Sequence, residues 1–249
     1  MVHTKTELAR QRGLNLPLPD PICSDQPGTW AYDTMSRRIR TDILARILRE
    51  NPAMPPHFVA RLVELEKELI DAATREITFL ADDAQDDVQV WNKEILEPHV
   101  AAARTWLSAP WLVTEFFFYR RVLQCVDWFS ESLDPFEQQK QLGVTTSREP
   151  MMALADRVSR VLGTSVLPDT ALRSFVVTAL WGNRMDLSIW PVGGDRGSGH
   201  QVLTVADETQ AKLILADHFP RLLDFILTKE LPLNRVDIVV DNAGLELFC

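Results

Sequence analysis

Apolar residues recur at three- and four-residue spacing from about Thr29 to about Trp181. Side chains so spaced share one face of an α-helix, so most of this chain can only fold as packed amphipathic helices. Ile39, Ile43, Leu44, Ile47 and Leu48 form a first stripe, which Asn51-Pro52 ends and after which Pro55-Pro56 restarts the chain. A second stripe, Val59, Leu62, Val63, Leu65, Leu69 and Ile70, predicts a long helix over Phe58 to Leu80. Further helices are expected over Trp91 to Leu107, from Pro110 through WLVTEFFFYRRVLQCVDWF, over Glu149 to Leu162 and over Asp169 to Trp181. The run from Trp111 is apolar almost all round and is expected to be buried. Glu115, Arg120, Arg121 and Asp127 make it too polar to cross a membrane.

The texture then changes. Residues 1–28, with Pro17, Pro19, Pro21 and Pro27, read as an extended lead-in, and residues 29–185 as the helical region. Residues 186–249 read as the first part of an α/β domain. Within it, Pro191 to His200 suits a loop and Gln201 to Val205 a short strand. Asp207 can cap a helix over Glu208 to Lys229, with Leu213, Ile214, Phe219, Leu222, Leu223, Phe225 and Ile226 on its buried face. Arg235 to Val240 has the near-continuous apolar end of a parallel central strand. Strand, helix and strand in this order make a βαβ unit. Two strands do not make a stable sheet, so the chain is expected to be truncated just past DNAGLELFC.

A net charge of −9 disfavours binding to a phosphate backbone, and no basic patch offsets it. Arg37, Arg38 and Arg40, and Arg120 with Arg121, read as ion-paired helix faces. ADDAQDD, Ala81 to Asp87, reads as a solvated helix start or loop, because no glycine turn or distal glutamate completes a calcium loop. Cys23, Cys125 and Cys249 are far apart and odd in number, which argues against a disulfide framework. The N-terminal residues lack the apolar core of a signal peptide. An intracellular location, the cytoplasm or the nucleus, is expected, with no membrane and no nucleic acid as partner.

The sharpest motif is VDIVVDNAGLE, Val236 to Glu246. Asp241 and Asn242 follow an apolar strand directly, and Ala243-Gly244 allows a tight turn into a helix. Ligands of open α/β sheets bind at the carboxyl ends of strands. A carboxylate and an amide oxygen there can ligate a divalent cation that holds and polarises a phosphate. Asp or Asn after a strand is also an ordinary helix N-cap, and the residues alone leave both readings open. VGGDRGSGH lacks the GK[ST] of a P-loop and reads as a surface loop. The five histidines form no paired metal-binding spacing.

WLVTEFFFYRRV (Trp111 to Val122), DPFEQQK (Asp134 to Lys140), LWGNRMDLS (Leu180 to Ser188) and RVDIVVDNAGLELF (Arg235 to Phe248) together resemble the damage-control phosphatase family, DUF89. The likeness is to its sugar-phosphate phosphatase subfamily III, which includes the acidic-residue methyltransferase-like proteins. The resemblance implies a helical N-terminal region followed by a Rossmann-like parallel α/β domain. It implies metal-dependent hydrolysis of phosphometabolites such as fructose 1-phosphate and fructose 6-phosphate, with Mn2+ or Ni2+, or else Co2+ or Mg2+. By position it makes Asp241 and Asn242 the metal ligands and substrate contacts, with Asp241 catalytic. It makes Asn183 and Asp186 pocket residues, and it links Glu246 to S-adenosylmethionine under a methyltransferase reading. The family's second metal-binding aspartate and its RTxK motif would lie beyond Cys249. Two other readings stand beside the phosphatase: an S-adenosylmethionine-dependent carboxyl methyltransferase acting on protein glutamates, and an inactive truncated fragment.

Overall fold

The computed structural model describes residues 19–163, 169–182, 212–228, 235 and 237–240, besides Arg10, Gly13 and Pro17. Its backbone contacts divide the chain into two units, Met1–Pro135 and Phe136–Cys249. The described residues are mostly helical.

In the first unit, Gly28 turns the chain at φ +86° and Thr29 caps the first helix, its Oγ1 accepting from the Tyr32 N–H at 3.2 Å. That helix, α1 (Trp30–Asp33), runs into a π-wound stretch, Thr34–Leu44, and on into α2 (Ala45–Glu50). The wide winding shows at its end, where the Ala45 N–H reaches back five residues to the Arg40 carbonyl. Arg37 reflects the same winding, since it bonds Asp33 four residues before it and Asp42 five residues after it. The Ile39, Ile43, Leu44, Ile47 stripe is buried, as its spacing requires. Asn51 ends the rod, its side-chain amide donating to the Ile47 carbonyl at 2.9 Å.

Helix α3 is Pro56–Ile70, ten residues shorter at its C-terminal end than the sequence expectation of Leu80. Asp71 and Thr74 form a turn, and the chain then pairs with a distant segment. The Ile77 N–H donates to the Arg104 carbonyl and the Trp106 N–H to the Arg75 carbonyl, at 2.9 and 3.1 Å. Ile77 and Leu80, which extend the apparent stripe, are buried from this irregular backbone instead. Asn92 holds its end, bonding both the N–H and the C=O of Leu80 through its side-chain amide. Helix α4 (Asp87–Val90), a π-wound turn Trp91–Leu96 and α5 (Glu97–Ala101) come next, so the expected helix over Trp91 to Leu107 stops at Ala101.

Helix α6 is Trp111–Cys125. The expectation that it is buried on every side is corrected. Phe117, Phe118 and Val122 face the core, while Leu112 and Phe116 are 57% and 60% exposed. Among the described residues, α6 packs on α3 and on the π-wound stretch Thr34–Leu44, which leaves its Leu112 and Phe116 side uncovered. Phe117 lies between Trp106 and Trp91, at ring-centroid distances of 5.4 and 5.9 Å. A short α7 (Trp128–Glu131) comes after a backbone break.

In the second unit, α8 (Glu137–Thr146) has no clear apolar stripe to announce it. Helices α9 (Arg148–Leu162) and α10 (Asp169–Gly182) fall where expected, and Leu154, Met151 and Val158 pack with Phe175. Helix α11 is Phe219–Thr228, and the helix expected over Glu208 to Lys229 is corrected at its start, because residues 212–218 are not helical. Pro220 explains the difference. It would break a helix running through it but fits a first turn, and the Asp217 carboxylate accepts the Phe219 N–H at 3.0 Å. The strand expected over Arg235 to Val240 is also corrected, because residues 235 and 237–240 lie in no strand. Ile238 and Val239 are 82% and 97% exposed, with no sheet neighbour to pair or cover them among the described residues. Pro191 to His200 and Gln201 to Val205 lie outside the described residues.

The packing predicts a sharp contrast on one helix. Phe117→Ala should cost about 3–5 kcal/mol in urea unfolding. Phe116→Ala, one residue away and outward-facing, should stay within about 0.5 kcal/mol.

Candidate functional site

Arg120 carries a fixed charge on the buried side of α6 and is 5% exposed. Burial alone would weaken that charge, so carboxylates must answer it. Asp87 takes Nε and Nη2 at 2.8 and 3.0 Å, and Asp83 takes Nη1 and Nη2 at 2.8 and 3.0 Å. These bonds raise the guanidinium pKa above its ordinary value despite the desolvation that lowers it. In return, hydrogen bonding from Arg120 holds the Asp87 carboxyl below the usual range. Two acids of ADDAQDD, Asp83 and Asp87, are therefore counter-ions of a buried arginine, while Asp82 and Asp86 stay exposed in a loop leading into the start of α4, as the solvated helix-start or loop reading expects. The ion-paired reading holds for Arg121 with Glu68 and Arg38 with Glu115, at 2.9 and 3.0 Å, and for Arg37 with Asp33 and Asp42; Arg40 has no ion pair among the described residues and its Nε is buried without a hydrogen-bond partner.

Beside this network opens a cleft of about 640 Å³ within the first unit. Its walls come from α3 (Arg61, Glu64), the acidic segment (Asp82, Asp83), α6 (Arg121, Gln124) and the α6–α7 joint (Asp127, Phe129). Arg61 Nη1 meets Asp127 at 2.6 Å across it. Gln124 Nε2 donates to the Ala81 carbonyl at 2.8 Å, and the Phe129 ring lies 4.7 Å from the Arg120 guanidinium carbon. Cys125 lies in the wall as a buried free thiol, pushed up to about 11 by burial. Sequence reasoning missed this cleft. The available signal was complementary need: paired arginines on an apolar helix, and a run of acids without cations.

Asp241, Asn242, Glu246, Asn183 and Asp186, the residues singled out from the sequence, all lie outside the described residues. So does any test of Asp241 at a strand's carboxyl end. Among the described residues, no group of three or more His, Cys, Asp or Glu side chains could hold a metal ion. No helix among them is long and apolar enough to cross a membrane.

A family model for the damage-control phosphatase ARMT1-like domain matches residues 37–249. The chain belongs to this family. It is 26% identical over 263 residues to damage-control phosphatase ARMT1 of Macaca fascicularis, covering 92% of this chain and 58% of that protein. The Homo sapiens protein of the same name is 26% identical over 264 residues, with the same coverage. The Bos taurus protein is 28% identical over 180 residues, 65% of this chain and 40% of its own. The chain thus spans somewhat over half the length of the first two relatives. The family match takes in α2 to α11 and continues through the DNAGLE segment.

The Arg120 network yields a directional prediction. The double change Asp83→Asn with Asp87→Asn leaves a buried cation unpaired and should cost about 3–5 kcal/mol. Asp87→Asn alone should cost less, because Asp83 remains and Asp87 is partly exposed. A carboxyl whose folded pKa is depressed contributes stability above its unfolded pKa and loses it as pH falls through the folded value. Unfolding midpoints should therefore drop below about pH 4 in the wild type, and drop less in the double variant.

Proposed function

We propose that this chain carries the cation- and phosphate-binding motif of a metal-dependent phosphatase for small phosphorylated metabolites, with sugar phosphates such as fructose 1-phosphate and fructose 6-phosphate as substrates. The reading rests on one observation above all. The family match runs unbroken through Asp241 and Asn242, and the relatives it brings in bear the name damage-control phosphatase. The proposed setting of the motif is the opening of a Rossmann-like α/β domain within residues 186–249.

The donor set fits a hard or borderline divalent cation, since Asp241 offers a carboxylate and Asn242 an amide oxygen, with no cysteine or histidine adjoining them in sequence. A bound Mn2+, Ni2+, Co2+ or Mg2+ would supply neutralisation of the phosphate charge and a water made acidic enough to attack. The chain's own residues do the rest. Asp241 supplies the negative charge that retains a cation. Asn242 adds a neutral oxygen, and its N–H2 can donate to a phosphate oxygen. Ala243 and Gly244 are small enough for backbone N–H groups to approach an anion closely. Asn183 and Asp186 are assigned to holding sugar hydroxyls, as a donor and an acceptor.

The test is phosphate release from fructose 1-phosphate with Mn2+, with and without a chelator, alongside Mn2+ binding by electron paramagnetic resonance. Asp241→Ala should weaken Mn2+ binding and lose about 3 kcal/mol of transition-state stabilisation, roughly a hundred-fold in rate. Asn242→Ala should lose on the order of ten-fold, because water can stand in for a neutral ligand. Release that ignores the chelator, or that persists in Asp241→Ala, would overturn the assignment.

A further inference from the structure

The apolar run that builds α6 continues without glycine or proline through Trp128 and Phe129, yet the helix stops at Cys125. Asp127 sits in the left-handed region at φ 48°, ψ 41°, and Ser132 at φ 54°, ψ 26°. Neither is glycine, and a left-handed serine is uncommon. The single turn between them, α7, buries none of its residues. Its flanks are fixed. Cys125 is buried in α6, and the Pro135 carbonyl accepts from the Asn51 side-chain amide at 3.0 Å.

We propose that α7 is a hinged cover over the cleft beside Arg61 and Gln124, with Asp127 and Ser132 as its hinges and the Arg61–Asp127 ion pair as its latch. Among the described residues, that ion pair at 2.6 Å and the Phe129 ring over the Arg120 guanidinium at 4.7 Å hold the cover down. The latch residues are partly exposed. A segment with so little buried area opens at a small fraction of the cost of global unfolding. Strain stored at two non-glycine hinges is released by that opening. The cleft it covers has the volume of a small-metabolite site. Opening separates Arg61 from Asp127 and admits solvent to the Cys125 thiol. The inference is independent of the metal-site reading, since no residue of DNAGLE takes part in it.

Cys125 supplies the readout. In this 249-residue chain carrying Cys23→Ser and Cys249→Ser, labelling by Ellman's reagent is followed at pH 8 through low urea, with global unfolding tracked by circular dichroism. Local opening exposes little surface, so the labelling rate should be flat in urea well below the unfolding transition. Arg61→Gln, which removes the latch, should raise that plateau roughly two- to five-fold. Ser132→Val should do the same, because a β-branched residue resists the left-handed region. Leu65→Ala, in the core of α3, should shift the unfolding midpoint and leave the plateau where it was. Labelling that occurs only through global unfolding would overturn the proposal. So would a plateau unmoved by both the latch and the hinge substitutions.

Discussion

A guanidinium that cannot lose its proton, placed almost out of water on α6, dictates much of what surrounds it. Arg120 needs two carboxylates, and they come from a segment with little regular structure of its own. That segment is positioned by what it bonds to: Arg120 through Asp83 and Asp87, residues 104–106 through the backbone of Arg75 and Ile77, and Asn92 through Leu80. Once it is set, Trp106 and Trp91 close on Phe117 from two sides. A buried ion pair contributes little net stability, because the cost of desolvation offsets the attraction. Its strength is in exclusion. Any arrangement that brings Arg120 inside without the acids leaves an unpaired buried charge, so competing packings of the 75–90 segment are ruled out.

Elements with a stripe and a punctuation mark are legible in the sequence. Ile39 to Ile47 closed by Asn51-Pro52, Pro56 opening α3, and the stripes of α9 and α10 all need only helical spacing and breaker chemistry. Periodicity fails where long-range pairing uses the same residues differently. Ile77 and Leu80 fit the α3 stripe in spacing, but backbone bonds to residues 104–106 give their segment a better partner than one more helical turn. Pro220 is a breaker hidden inside a convincing stripe, and α8 has almost no stripe to see. The acidic run looks solvated when taken alone, whereas its meaning lies in an arginine more than thirty residues away. A single sequence shows charge but not which charges will share a desolvated space. The proposed motif at Asp241 can be singled out from sequence because its residues are contiguous; its setting is not local, and spacing cannot supply it.

Ile238 and Val239 bring the fold and the proposed chemistry to the same point. Both stand almost fully in solvent among the described residues, shortly before the proposed metal ligands. Burying each such side chain is worth about 1.5–3 kcal/mol, so whatever covers them gains several kcal/mol for fixing this backbone. A metal ligand has to be held to about half an ångström. On the proposed reading, covering the two apolar side chains and orienting the Asp241 carboxylate are coupled, because they lie two and three residues apart in the chain. By linkage, a cation that binds only the ordered form stabilises the covered state by the same free energy that the covering adds to cation binding. Under the proposed function the apolar pair would act on the site without touching a cation, through the free energy gained when Ile238 and Val239 are covered.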